Sequence, residues 1–266
     1  MSRAAARPDR RNVLAAAYLS GVLLYLYAPV IVTVLFSFAS SPRLSMPIEG
    51  LTLDWYRRAL ANPLITTALH NTLVLALVSA VGAGVLGTAF AYGLVRLRRK
   101  RLRQGLMGAS LLPAVVPLLV IGISLAVLFK SLGVRQGLAN AGVGHVLVCL
   151  PFVVLTMNAR LESFDLTVLE AARDLGASPL RAFRDITFPL IRPAVIGAAL
   201  LAAALSLDEF VVTWFNIGSQ QTLPVLVWGL MRRGVDPSIN ALASLLLFTL
   251  VFLVLVSTLS GRRARR

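Results

Sequence analysis

The sequence predicts an all-α membrane protein: six transmembrane helices, with a cytoplasmic loop between the fourth and fifth. Three observations carry this. Of 266 residues, 58% are hydrophobic and 14% charged, with a mean hydropathy of +0.82, whereas a soluble domain holds nearer a quarter charged residues. The charges are clustered, leaving charge-free windows at 12–42, 59–95, 104–129, 136–159, 210–231 and 237–261. A further window, 193–207, is closed by Asp208 and Glu209. A helix needs about 20 apolar residues to cross ~30 Å of hydrocarbon, so windows of this length read as spans and a water-soluble enzyme fold is excluded.

The first span lies near 14–38. A basic start followed by an apolar run also resembles a signal peptide, but Val13 to Phe38 is too long for its apolar core, so an uncleaved helix is expected. The second span, near 70–95, carries Gly82, Gly84 and Gly87, which suit close helix packing. The third, near 106–128, contains Pro113 and Pro117, which remove backbone donors and should kink it. The fourth runs near 142–160 and the fifth near 194–215. Residues 216–239 begin with Asn216, Gly218, Ser219, Gln220, Gln221 and Pro224, too polar for lipid, and read as a loop in which Leu223 to Met231 can dip back. The sixth span lies near 240–260, and the chain 1–266 reads as a single membrane domain.

Orientation follows from the basic residues, which stay on the cytoplasmic side. The N-terminal tail, the run Arg96 to Arg103, the loop after the fourth span and the C-terminal tail hold nineteen of the 26 Lys and Arg. The other three loops share seven. Both termini are therefore expected in the cytoplasm.

A net charge of +15 does not indicate nucleic acid, because the cations sit at the ends of apolar spans with no basic domain to hold them; topology and anionic-lipid contact account for them. Cys149, the only cysteine, reads as a small core residue. His70 and His145 read as loop residues near span ends, without neighbours at metal-ligand spacing. Neither Lys100 nor Lys130 completes a phosphate-binding loop, and no catalytic constellation is present.

The longest cytoplasmic loop, 161–193, is patterned. Thr167 and Glu170 fit a capping box, and the helix they open stops at Gly176, the usual left-handed residue after a helix. Ser178 and Pro179 are a second cap and first helical position. That second helix places Leu180, Phe183 and either Ile186 or Thr187 on one face, with Arg181, Arg184 and Asp185 on the other. Pro189 is expected to end it and Pro193 to open the fifth span. Helices this short are marginal alone, so the apolar face needs a partner, either this protein or another one.

Glu170-Ala171-Ala172, then Gly176, then Ile186 and Pro189 after nine intervening residues, resemble the EAA loop of permease subunits in binding-protein-dependent ABC importers. The departure is Phe188, where leucine is commoner. The resemblance implies that Glu170, Ala171, Ala172, Gly176, Leu180, Phe183, Ile186 and Pro189 form a coupling helix that docks on an ATP-binding subunit. It also implies a second permease subunit, two ATP-binding subunits that bind ATP and Mg, an extracytoplasmic solute-binding protein, and no cofactor in this chain. Leu53-Asp54-Trp55-Tyr56, Asp208 to Thr213, Leu223-Pro224, Pro237 and Asn240 to Ala243 are similar to the second permease subunit of spermidine/putrescine importers. The implied function is ATP-driven import of a small solute, a polyamine first; the alternatives are another small solute or an ion-driven secondary transporter.

Asp208 and Glu209 are the only acidic residues inside any predicted span. Buried carboxylates in a membrane usually face a wet cavity or a partner. On one continuous helix they diverge by about 100°, so one can face the solute pathway while the other pairs with a neighbouring helix. The other reading makes both of them interhelical hydrogen-bonding groups.

Overall fold

The computed structural model describes residues 10–41, 47–163, 172, 176–233 and 237–248. Its helices are α1 (Arg10–Ser37), α2 (Asp54–Ala61), α3 (Pro63–Arg96), α4 (Lys100–Val115), α5 (Leu118–Ser131), α6 (Leu138–Glu162), α7 (Pro179–Leu207), α8 (Val211–Asn216), α9 (Leu223–Arg233) and α10 (Pro237–Phe248). Among the described residues no β-strand forms. Four described helices are long and apolar enough to span a bilayer, or five if the bent pair α4 and α5 counts as one. The expected sixth span is described as far as residue 248, within α10.

The chain divides into two compact units, Met1–Pro63 with Gly229–Arg266, and Leu64–Trp228. In the first, α2 is tied to the end of α1. The hydroxyls of Ser37 and Tyr56 lie 2.6 Å apart, and Trp55 Nε1 donates to the Ala39 carbonyl at 2.7 Å. These bonds explain why Trp55 and Tyr56 follow one another here: on so short a helix, two aromatic residues with polar tips can anchor both bulk and hydrogen bond.

In the second unit, α3, α6 and α7 share a core of Ala83, Ala91, Cys149, Val153, Met157, Leu161, Ile191, Ala198 and Ala202. Lipid is as apolar as these side chains, so tight van der Waals packing of small residues supplies the adhesion. The expected packing role of the α3 glycines is seen at Gly87, where a Cβ would stand 2.6 Å from Val153 Cγ1. Cys149 is buried there, as the sequence predicts.

The predicted outlines change at three places. The expected kink is a 97° bend between α4 and α5. Pro113 is accommodated inside α4, whereas Val116, directly before Pro117, is extended with ψ 132°. Pro disfavours helical geometry in the residue before it and brings no N–H for the Pro113 carbonyl. In the second departure, Pro189 does not end a helix and Pro193 does not open one, because α7 runs through both from Pro179 to Leu207. A π turn at Phe183–Thr187 permits this: the Phe188 N–H reaches back to the Phe183 carbonyl, and the wider turn absorbs the bond that Pro189 cannot make. The third departure is the predicted span 194–215, which stops at Leu207 and resumes only at Val211.

Candidate functional site

The corner at 172–179 is made by local bonds. Ala172 is helical and its carbonyl accepts the Ala177 N–H at 3.0 Å, while Gly176 takes φ +85°. This is the six-to-one bond of a Schellman close, with glycine at the left-handed position. Ser178 Oγ accepts from the Arg181 N–H at 3.3 Å, and Pro179 is the first residue of α7. Glu170 and Ala171 lie outside the described residues.

The face expected to carry Leu180 with Phe183 is divided. Phe183 is half-buried, its ring edge-on to Tyr92 at 4.9 Å and 6.3 Å from Phe188. Leu180 points outward, 76% exposed. Three residues along a helix leave side chains about 60° apart, enough for one to reach α3 and the other to miss it. Ile186 is half-buried, Thr187 fully buried and Pro189 exposed, while Arg184 pairs with Asp185 at 3.1 Å on the outer side.

Both helix breaks line one hollow of about 540 Å³. Pro113, Ala114 and Val116 come from the end of α4, Ala204 and Leu205 from the end of α7, Phe152 from α6, and Asp208, Glu209 and Phe210 from the break. The C-terminal ends of α4 and α7 meet Leu118 and Val211, the first residues of α5 and α8, in this lining, so helix ends of both signs face the hollow. Asp208 is the exposed carboxylate of the lining, with Phe152 and Phe210 beside it, and a carboxylate among aromatic rings suits a cation. Pro113 and Pro117 marked the end of α4 in the sequence, and Phe210 falls in the Asp208 to Thr213 stretch; the end of α7 and Phe152 carry no such signal.

The two carboxylates do different work. Asp208 ends α7 and is exposed at the rim. Glu209 is 8% exposed, and its Oε1 accepts the Val212 N–H at 2.8 Å, capping α8. They do not sit on one continuous helix as predicted, because this cap takes up the N–H that a through-running helix would use.

His145 is not a loop residue. α6 starts at Leu138, earlier than the predicted 142, so His145 lies two turns inside it and is 1% exposed. Its Nδ1 is 2.6 Å from Ser206 Oγ on α7, and its Nε2 is 2.6 Å from Thr213 Oγ1 on α8. Ser206 is also 3.1 Å from Ser79 Oγ of α3, and Thr213 Oγ1 donates to the Glu209 carbonyl at 2.8 Å. The sequence held a signal for it, a lone ionisable residue inside an apolar window.

Residues 83–266 match the family described as binding-protein-dependent transport system inner membrane component. The chain belongs to that family. Among curated relatives, the spermidine/putrescine transport system permease protein PotC of Escherichia coli strain K12 is 37% identical over 252 residues, 94% of this chain and 95% of that one. The putrescine transport system permease protein PotI of the same strain is 39% identical over 230 residues, 84% of this chain and 82% of its own length. In three dimensions, the chain matches a bacterial ABC transporter involved in import of the acidic polysaccharide alginate, with TM-score 0.71, 18% identity and coverage of 98% and 99% of the two chains. At that identity the likeness shows the fold alone. This inner-membrane permease is therefore a multi-pass transport protein, and its family is one of permeases rather than enzymes.

Proposed function

We propose that this permease imports a polyamine of the spermidine or putrescine class. It would work with a second permease subunit, two ATP-binding subunits carrying ATP and Mg, and an extracytoplasmic solute-binding protein, with both of its own termini cytoplasmic. The observation that carries the solute class is the hollow at the two helix breaks. Its exposed acceptor is the carboxylate of Asp208, beside Phe152 and Phe210, and the 37% and 39% identical relatives carry polyamine names.

An ammonium and a carboxylate 4 Å apart attract by about 1 kcal/mol in water and about 4 kcal/mol at an effective dielectric of ~20. At an exposed rim the lower figure is closer, so Asp208 gives a passing cation a transient counter-charge and still releases it. Glu209, committed to the α8 cap, sets the shape of the break. On the other side of the molecule, the corner at Gly176 and the outward Leu180 present a docking face to an ATP-binding subunit, whose closure would be transmitted through α7, continuous from Pro179 to Leu207, to the hollow. A secondary transporter would have no use for that face.

The test pairs co-purification of an ATP-binding subunit with uptake in the assembled complex. Asp208→Asn should cut putrescine and spermidine uptake about tenfold while the complex still assembles and keeps its basal ATPase. Unchanged polyamine uptake would remove the counter-charge, and failure to capture any ATP-binding subunit would remove the importer.

A further inference from the structure

The stretch that presents Asp208 is only three residues long, and of its own side chains Glu209 alone helps to set the angle between α7 and α8, through its bond to the Val212 N–H. Two features of α6 brace that angle from outside. Gly144 lets α8 approach so closely that a Cβ at that position would stand 2.4 Å from Val212 Cγ1. One residue on, the His145 ring bonds Ser206 on one side of the break and Thr213 on the other, at 2.6 Å each. Thr213 Oγ1 spends its proton on the Glu209 carbonyl, so it accepts from Nε2–H, and Nδ1 in turn accepts from Ser206. One neutral tautomer therefore satisfies both bridges. Every polar atom of the ring is used, at 1% exposure, so the bridges have no water to exchange with.

We infer that His145 is a positioning residue for solute passage: a clamp across the α7–α8 break that holds the Asp208 carboxylate at the rim of the hollow. This rests on the counter-charge role of Asp208. Ser206 and Thr213 are the two jaws, and Ser79, 3.1 Å from Ser206, steadies one of them from α3. With the clamp opened, Asp208 keeps its charge but loses its placement, and a flexible carboxylate assists a passing cation less than a fixed one.

The experiment uses the assembled transporter with three readouts: putrescine uptake at saturation, basal ATPase, and the rate at which a cationic methanethiosulfonate modifies an Asp208→Cys thiol in a Cys149→Ala background. His145→Phe keeps a ring of similar bulk without either bond. It should lower uptake about tenfold, leave basal ATPase within about twofold, and change the thiol rate at least about threefold. His145→Gln, which retains one donor and one acceptor, should recover more uptake than His145→Phe; a role in filling space would reverse that order. In an Asp208→Asn background, His145→Phe should lower uptake no further. Where His145→Phe fails to assemble, Ser206→Ala with Thr213→Val opens the same clamp with the ring in place and carries the same expectations. Unchanged uptake together with an unchanged thiol rate overturns the clamp, as does a better result for His145→Phe than for His145→Gln. The underlying reading fails separately: if Asp208→Asn alone leaves uptake intact, the counter-charge is gone, and the thiol rate still decides whether His145 holds the break.

Discussion

Two corners of this permease do the same geometrical job by opposite means. Around Gly176 the chain turns into α7 through bonds that span at most five residues: Ala177 to Ala172, and Arg181 to Ser178. At 207–211 a helix closes and another opens, yet the bonds that hold the two parts come from His145, 61 and 68 positions away. The first corner is encoded where it occurs. The second is held largely from other helices, from α6 through His145 and from α5 through the Gly122 carbonyl, which accepts from Asn216 Nδ2 at 3.0 Å; its own residues supply the Glu209 cap and the Thr213 bond to the Glu209 carbonyl. A locally encoded corner should survive changes elsewhere and fail at its own glycine, whereas a remotely encoded one should fail when its distant support is altered.

The largest expected effect tests that second statement. Gly144→Leu would drive a side chain into Val212, itself fully buried, and toward Leu125 Cδ1, 3.2 Å from the new Cβ. Overpacking of this kind costs typically about 1 to 3 kcal/mol. The expected results are a lower melting temperature in detergent and altered reactivity of the Asp208→Cys thiol, although the substitution lies more than sixty residues from the break. Gly105→Leu is the matched control, since a Cβ there meets nothing within 4 Å, and it should change neither measurement. Equal melting temperatures for the two variants would show that the α6–α8 approach is looser than drawn.

The same contrast explains what was legible in the sequence. The apolar windows located the four long spans and the bent pair α4 and α5 because charge is costly in hydrocarbon at any position, and the Gly176 and Ser178 corner was readable because caps act within one turn. The hollow was only half legible. Asp208 and Glu209 stood out as acids in an apolar stretch, but hydropathy cannot see a break in a span, so 194–215 reads as one helix. Likewise, Pro189 reads as a stop, since nothing local announces that a π turn will absorb its missing N–H. His145 was misplaced because a four-residue difference in where α6 begins turns a loop histidine into a buried one. What makes it consequential, Ser206 and Thr213, lies on other helices.

The next effect is smaller and purely local. Gly176→Val places a β-branched residue at φ +85°, at a cost of roughly 1 to 2 kcal/mol. A Cβ there meets no atom within 4 Å, so the whole effect is backbone strain. The variant should insert and keep the reactivity of the Asp208→Cys thiol, but lose transport-coupled ATP hydrolysis because the corner no longer presents α7 correctly. Gly176→Asn, with a residue that tolerates the left-handed region, should recover part of that coupling. A change in thiol reactivity with Gly176→Val would mean that the two corners are not independent.

The smallest expected effect on stability carries the sharpest division within the first corner. Leu180 and Phe183 share a short helical segment, yet Phe183 is spent on Tyr92 and Phe188, while Leu180 is 76% exposed. A leucine this exposed can be replaced within about 0.5 kcal/mol, so Leu180→Asp should leave the melting temperature of the isolated permease where it is. If its outward face is the surface that meets an ATP-binding subunit, the same variant should bring down far less of that subunit on co-purification, because a carboxylate desolvated in an apolar contact is costly. Phe183→Ala should do the reverse, lowering the melting temperature through the loss of the Tyr92 contact while weakening capture only in proportion. Wild-type capture by Leu180→Asp would leave the outward leucine with no partner of this kind, and the apolar face of the corner would then be complete in Phe183 and its two aromatic neighbours.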